Sequence, residues 1–203
     1  MLIQKMLHSA GMLTLSALLG GGLVAFSFEV TDQQIQANQR AALLRGLNEI
    51  LPAERYDNDL FTDLSYVQNQ TLLGTEKPVI VYRARKAGHP VAAILTPSAP
   101  DGYNGEIRLL VGINYQGQLE GVRIVSHQET PGLGDWIELR RSKWILNFKD
   151  RSLQNPLSNQ WLVKRDGGIF DQFTGATITP RAVVKAVKNS LLFFQSYRDQ
   201  IFK

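Results

Sequence analysis

Cysteine is absent from the 203-residue chain. That excludes a disulfide framework, a thiol nucleophile, and zinc or iron–sulfur centres held by thiolates. Histidine is scarce, with three copies at positions 8, 89 and 127 that make no recognisable metal set. Charge of one sign is lacking too: Lys and Arg number 22 against 18 Asp and Glu, for a net charge of +4. The basic residues are interspersed with acids, and no arginine-rich face with interleaved aromatics occurs, so nucleic acid is not an expected partner. There is no glycine fingerprint for a nicotinamide dinucleotide, no internal repeat and no low-complexity linker. The length suits one ordinary domain with an appendage.

Residues Ala10 to Phe28 carry no charge, and such a run is about the 20 residues that a helix needs to cross a bilayer. Lys5 and the terminal amine precede it, while Glu29 and Asp32 follow. The positive-inside bias then places the N-terminus in the cytoplasm and the remainder on the far side, which in a bacterium is the periplasm. A cleaved signal peptide is the competing reading. The run is longer than a usual signal core, and Ala25-Phe26-Ser27 is an awkward cleavage site, so a retained anchor is favoured. Gly20-Gly21-Gly22 offers a smooth surface to a neighbouring transmembrane helix.

Beyond the anchor, Thr31 and Gln34 have capping-box spacing, which predicts a helix over 31–51, ended by Pro52. Residues 53–73 have no clean period and read as loop with short helical turns. Apolar runs at 78–85 and 90–96, then at 106–114 and 118–126, flank short glycine-containing turns. They predict two hairpins in an antiparallel sheet, with His89 an exposed bystander. Asp135 is positioned to cap a helix reaching about Phe148, and 161–163 is a short strand candidate. Thr179 as N-cap and Pro180 as first helical residue would open a terminal helix with an apolar stripe of Val183, Val184, Val187, Leu191 and Phe194. The expected division is an anchor at 1–28, a helical stalk or connector at 29–76 and an α+β domain at 77–203.

Two loops carry the chemical interest. His127-Gln128-Glu129-Thr130-Pro131-Gly132-Leu133-Gly134 combines polar side chains with residues that turn the backbone sharply. Asp171-Gln172-Phe173-Thr174-Gly175-Ala176-Thr177 is a compact loop of low bulk running into the last helix. Taken by themselves they leave open a binding loop or an ordinary turn.

The order of membrane anchor, His127-x-Glu-Thr-Pro-Gly-Leu-Gly134 and Asp171-x-Phe-Thr-Gly-Ala-Thr177 resembles the RnfG/RsxG family, the G component of the Rnf/Rsx ion-translocating electron-transport complex. A more distant relation is the C component of the sodium-translocating NADH:quinone reductase. The resemblance covers essentially the whole chain and rests on two motifs, their order and their separation. It implies FMN attached by a phosphoester to the last threonine of the second motif, Thr177, with Thr174, Gly175 and Ala176 around it. Thr174 stands where the family more often has serine and keeps the hydroxyl. The resemblance also places His127, Glu129, Thr130, Gly132 and Leu133 beside the flavin. Glu129 and Thr130 are then candidates to hydrogen-bond ring or ribityl atoms, and Leu133 to cover the ring.

A separate magnesium-dependent flavin transferase would install the group from FAD. The expected partners are the other integral-membrane and peripheral subunits of the complex, in the inner membrane, and the subunit alone is no complete enzyme. Backbone N–H groups at the head of the last helix would meet the phosphate, with Lys185 a candidate counter-charge. The main alternative is a cofactor-free, membrane-anchored scaffold of the same fold. A threonine-nucleophile hydrolase is weaker, because Thr177 is not N-terminal.

Overall fold

The computed structural model describes residues 1–203 except the side chains of Leu2, Glu29, Gln33, Gln36 and Gln39. Glu29, read above as part of the acidic flank of the apolar run, therefore lies outside the described residues. Two compact units, Met1–Arg45 and Gly46–Lys203, are each described by themselves.

All of the first unit but Met1 lies within helix α1 (Leu2–Ile50), whose segment Ile3–Asp32 is the one among the described residues long and apolar enough to cross a membrane. Its apolar side chains, such as Leu13, Leu18 and Leu23, are largely exposed, as a lipid-facing helix requires. A new helix does not start at Thr31. Its hydroxyl donates to the Ser27 carbonyl one turn back, which serves a residue inside a helix rather than at its cap. Nothing between Gly22 and Ile50 breaks the helix, and Pro52 stops it.

The second unit is built on a six-stranded sheet in which every pairing is antiparallel. The strands are β1 (Leu64–Val67), β2 (Val79–Lys86), β3 (His89–Leu95), β4 (Ser98–Ala99), β5 (Ile107–Asn114) and β6 (Leu119–Ser126). The α+β expectation and both hairpins hold. β2 and β3 are joined by Ala87 and Gly88, both at positive φ (50° and 77°), the two-residue turn that matches strand twist. β3 and β4 follow one another along one edge of β5, and β6 takes the other. β1 falls in the stretch read as loop, where its Leu-Ser-Tyr-Val is only partly buried. It is followed by the single turn α2 (Gln70–Leu73), capped by Asn69.

Alternation along β5 divides its side chains between two faces. Leu109, Val111 and Ile113 join one core cluster with Val183, Val187, Leu191 and Phe194 of α3 (Ile178–Ile201). Leu110 and Gly112 face the last turn of α1, where Ile50 lies so close that a Cβ on Gly112 would stand 2.2 Å from its Cγ2. The C-terminal end of α3 is held by arginines of β2: Arg83 donates to the Ile201 carbonyl and Arg85 to that of Phe202, satisfying groups a helix end leaves free. Asp63 pairs with both arginines.

No α-helix spans 135–148. Short 3-10 turns cover Gly134–Ile137 and Trp144–Phe148 instead. Asp135 spends its carboxylate on the Gly132 N–H and Arg141. Ser142 accepts from the Trp144 N–H and donates to the Trp136 carbonyl, competing with helical bonding. Trp144 and Phe148 turn inward against Phe170, Phe173 and Trp161, with ring centroids 4.7–6.3 Å apart. Residues 161–163 form no strand; Val163 makes a lone bridge to Phe170.

Candidate functional site

The two motif loops meet. The first leaves β6 and folds over the Thr130 carbonyl, which accepts from the N–H groups of Leu133 and Gly134 at 3.1 and 3.0 Å. The second closes a turn through the Ala176 N–H to the Phe173 carbonyl at 3.1 Å, with Gly175 at φ 79°. A side chain there would be strained, so glycine suits the position. Leu133 lies over this turn, its Cδ2 3.6 Å from where a Cβ on Gly175 would sit. Trp144 fastens the loop from beneath by donating its indole N–H to the Asp171 carbonyl at 2.8 Å.

Between the loops and the head of α3 lies a cleft of about 320 Å³. Of the residues singled out in the sequence, Glu129, Thr130, Leu133, Gly175, Ala176 and Thr177 line it. Tyr103, Gly134, Ile178 and Thr179 complete the wall. Tyr103 and Ile178 were not among the residues singled out in the sequence, and the only signal available for Tyr103 was an aromatic residue in the glycine-containing 98–105 loop. His127, Gly132 and Thr174 are not part of the lining. Thr174 is exposed at the tip of its turn, and Gly132 shapes the first loop at φ 77°.

Thr177, half-buried, occupies the N-cap position of α3 with dihedrals already helical, and its side chain makes no capping bond. The helix thus starts ahead of the expected Thr179–Pro180 boundary. Thr179 cannot be the cap, because its buried hydroxyl donates to the Glu129 carboxylate. The first N–H groups of a helix have no partner inside it. Proline at 180 removes one of them, leaving those of Ile178 and Thr179 facing the cleft end of the helix. Lys185 is not a counter-charge here: it pairs at the surface with Asp101.

Glu129 is 4% exposed, and its oxygens are already occupied. They accept from the N–H groups of Tyr103 at 3.3 Å and Asn104 at 3.0 Å, besides the Thr179 hydroxyl. Asn104 also donates to Thr130 at 3.3 Å. His127 supports this arrangement from behind. Its Nδ1 accepts the Glu129 N–H at 3.0 Å, which assigns the ring proton to Nε2, 2.7 Å from Glu138 Oε1. A hydrogen bond from Arg140 holds the Glu138 carboxyl below its ordinary value, aided by His127 and opposed by burial.

This geometry fits a flavin phosphate. The cleft offers an unspent hydroxyl at a helix head, backbone donors beside it, a turn without side-chain bulk and apolar cover from Leu133. A family model described as the FMN-binding domain matches residues 102–192, the segment that contains every cleft-lining residue, and one described as the RnfG N-terminal region matches 1–50. The chain is 48% identical to the G component of the ion-translocating oxidoreductase complex of Shewanella oneidensis over 199 residues, 98% of this chain and 94% of the relative. It is 48% identical to the same component of the Pseudomonas aeruginosa complex over 198 residues, 98% and 92% of the two chains. For Vibrio cholerae the figures are 46% over 189 residues, 93% and 90%.

The chain belongs to the RnfG/RsxG family. As a member it is a subunit of a membrane-bound oxidoreductase complex, and FMN is the cofactor of its matched domain. Within that RnfG/RsxG domain the cleft is the place where loops, helix head and exposed apolar side chains converge.

Proposed function

We propose that this chain relays electrons within an ion-translocating ferredoxin/NAD oxidoreductase complex through FMN joined by a phosphoester to Thr177. The observation that carries the reading is the Thr177 hydroxyl, half-buried on the cleft wall at the head of α3 and not used to cap that helix. A phosphoryl group on it would extend toward the N–H groups of Ile178 and Thr179, where a helix favours negative charge. Leu133 and Ile178 supply apolar surface for a ring, and Tyr103 stands at the mouth. The bound flavin supplies one- and two-electron redox chemistry; the protein holds and orients it.

Attachment is a group transfer from FAD on a dedicated transferase. The Thr177 Oγ–P bond forms, the pyrophosphate P–O bond breaks, AMP leaves, and the threonine proton passes to a base of the transferase. Thr174, exposed one turn earlier, remains free and adds to the surface the transferase reads. The apolar part of α1 anchors the chain in the inner membrane, with Lys5 on the cytoplasmic side and Asp32 on the periplasmic side, in keeping with the charge bias. The cleft is then periplasmic, where a covalent tether keeps the cofactor from being lost.

Co-expression with the transferase, followed by ultraviolet viewing of a denaturing gel, tests the reading. A fluorescent band that disappears in Thr177→Ala supports it. A dark wild-type band leaves the cofactor-free scaffold.

A further inference from the structure

Glu129 carries more structure than its place on the cleft wall requires. Burying a carboxylate is costly unless donors replace water. Here they come from two segments far apart in the chain: the 101–105 loop gives the Tyr103 and Asn104 N–H groups, and α3 gives the Thr179 hydroxyl. The surrounding backbone is cut to fit. A Cβ on Gly134 would lie 2.8 Å from Glu129 Cβ and 2.9 Å from Thr179 Oγ1. Thr179 is two residues beyond Thr177 on the same helical turn, and at 1% exposure its hydroxyl has left the solvent.

We propose that Glu129 is a positioning residue for Thr177. Through the Glu129–Thr179 hydrogen bond it locks the first turn of α3 to the His127–Gly134 loop, and so sets the place of the Thr177 hydroxyl before any flavin arrives. The role is exercised in the unmodified chain, as a condition for modification, and Glu129 need touch no flavin atom. His127 belongs to the same device, because its Nδ1 holds the Glu129 backbone while Glu138 holds its Nε2. The proposal rests on the reading that Thr177 receives FMN.

The test follows covalent flavin uptake by the full-length membrane-embedded chain after induction of the transferase, using intact mass. Thr179→Val keeps the shape and removes the hydroxyl, and Thr179→Ser restores it. Ile113→Val, a buried truncation remote from the cleft, controls for stability loss. A hydrogen bond to a charged group is worth enough to change a local equilibrium by about tenfold. Thr179→Val is therefore expected to take up flavin roughly tenfold more slowly, Thr179→Ser near the wild-type rate and Ile113→Val at it. Before modification, amides of 176–181 should exchange faster in Thr179→Val than in Ile113→Val. Glu129→Gln should also slow uptake, since one of the N–H donors loses its acceptor. Uptake by Thr179→Val at the wild-type rate, or slowed only as far as Ile113→Val, overturns the proposal alone. A wild-type chain without covalent flavin, or a labelled Thr177→Ala, overturns the assignment of Thr177 and this proposal with it.

Discussion

Leu133 and Gly175 stand in contact distance across the two motif loops, the Leu133 Cδ2 being 3.6 Å from the position of a Cβ on Gly175. The space there is adequate for a methyl group, so the constraint on residue 175 is its φ of 79°. Gly175→Ala should cost about 1–2 kcal/mol locally and tilt the turn that leads to Thr177. Flavin occupancy by absorbance should fall several-fold while the thermal melt of the detergent-solubilised chain moves only a few degrees. Full occupancy would show that the turn geometry is not needed.

Trp144 anchors the same loop from the core through its bond to the Asp171 carbonyl. Trp144→Phe keeps the ring contacts with Phe148 and Phe173 and loses that bond, worth about 1 kcal/mol. Hydrogen exchange should rise in 171–176 and stay unchanged in β5.

On the opposite face of the sheet, Gly112→Ala should destabilise by about 1–3 kcal/mol, because the added methyl meets Ile50. Ile50→Ala opens the space. Urea unfolding of the single and double variants should show coupling, the pair being less destabilised than the sum. Additive losses would mean that the end of α1 does not pack on β5.

Glu138 gives the pH dependence a sign. Its folded carboxyl is held below the ordinary value of 4.5, so the stability it contributes is present above that value and is lost as pH falls through the lower folded one. Glu138→Gln should narrow the stability difference between neutral and acid pH, read by thermal denaturation across this range. An unchanged acid limb would remove Glu138 from the balance.

The strands flanking glycine turns were legible because their apolar runs end where Gly88 and Gly117 allow the backbone to reverse. β1 was hidden, since Leu64-Ser65-Tyr66-Val67 is an edge strand with an exposed tyrosine and no alternation to mark it. The 135–148 segment misled because Asp135 has the chemistry of a helix cap but uses it on Gly132 and Arg141. Thr179 misled likewise: its hydroxyl goes to a carboxylate 50 positions earlier, a partner no local pattern contains. Glycine concentrated with polar side chains singled out the two motif loops but left a binding loop and an ordinary turn both open, and it is the family resemblance that marks them as a candidate site. Their meeting across one cleft, with Tyr103 and Ile178 added from outside both, is a property of the tertiary fold.

Trypsin cleaves after Arg165 and Arg181 and releases Asp166–Arg181, which holds Thr174, Thr177 and Thr179 together. Fragmentation of this peptide from the chain matured with its transferase is the most direct measurement of the central claim. The added mass of FMN is expected on fragments containing Thr177 and on none that end before it. FMN on Thr174 or Thr179, or an unmodified peptide throughout, would contradict it.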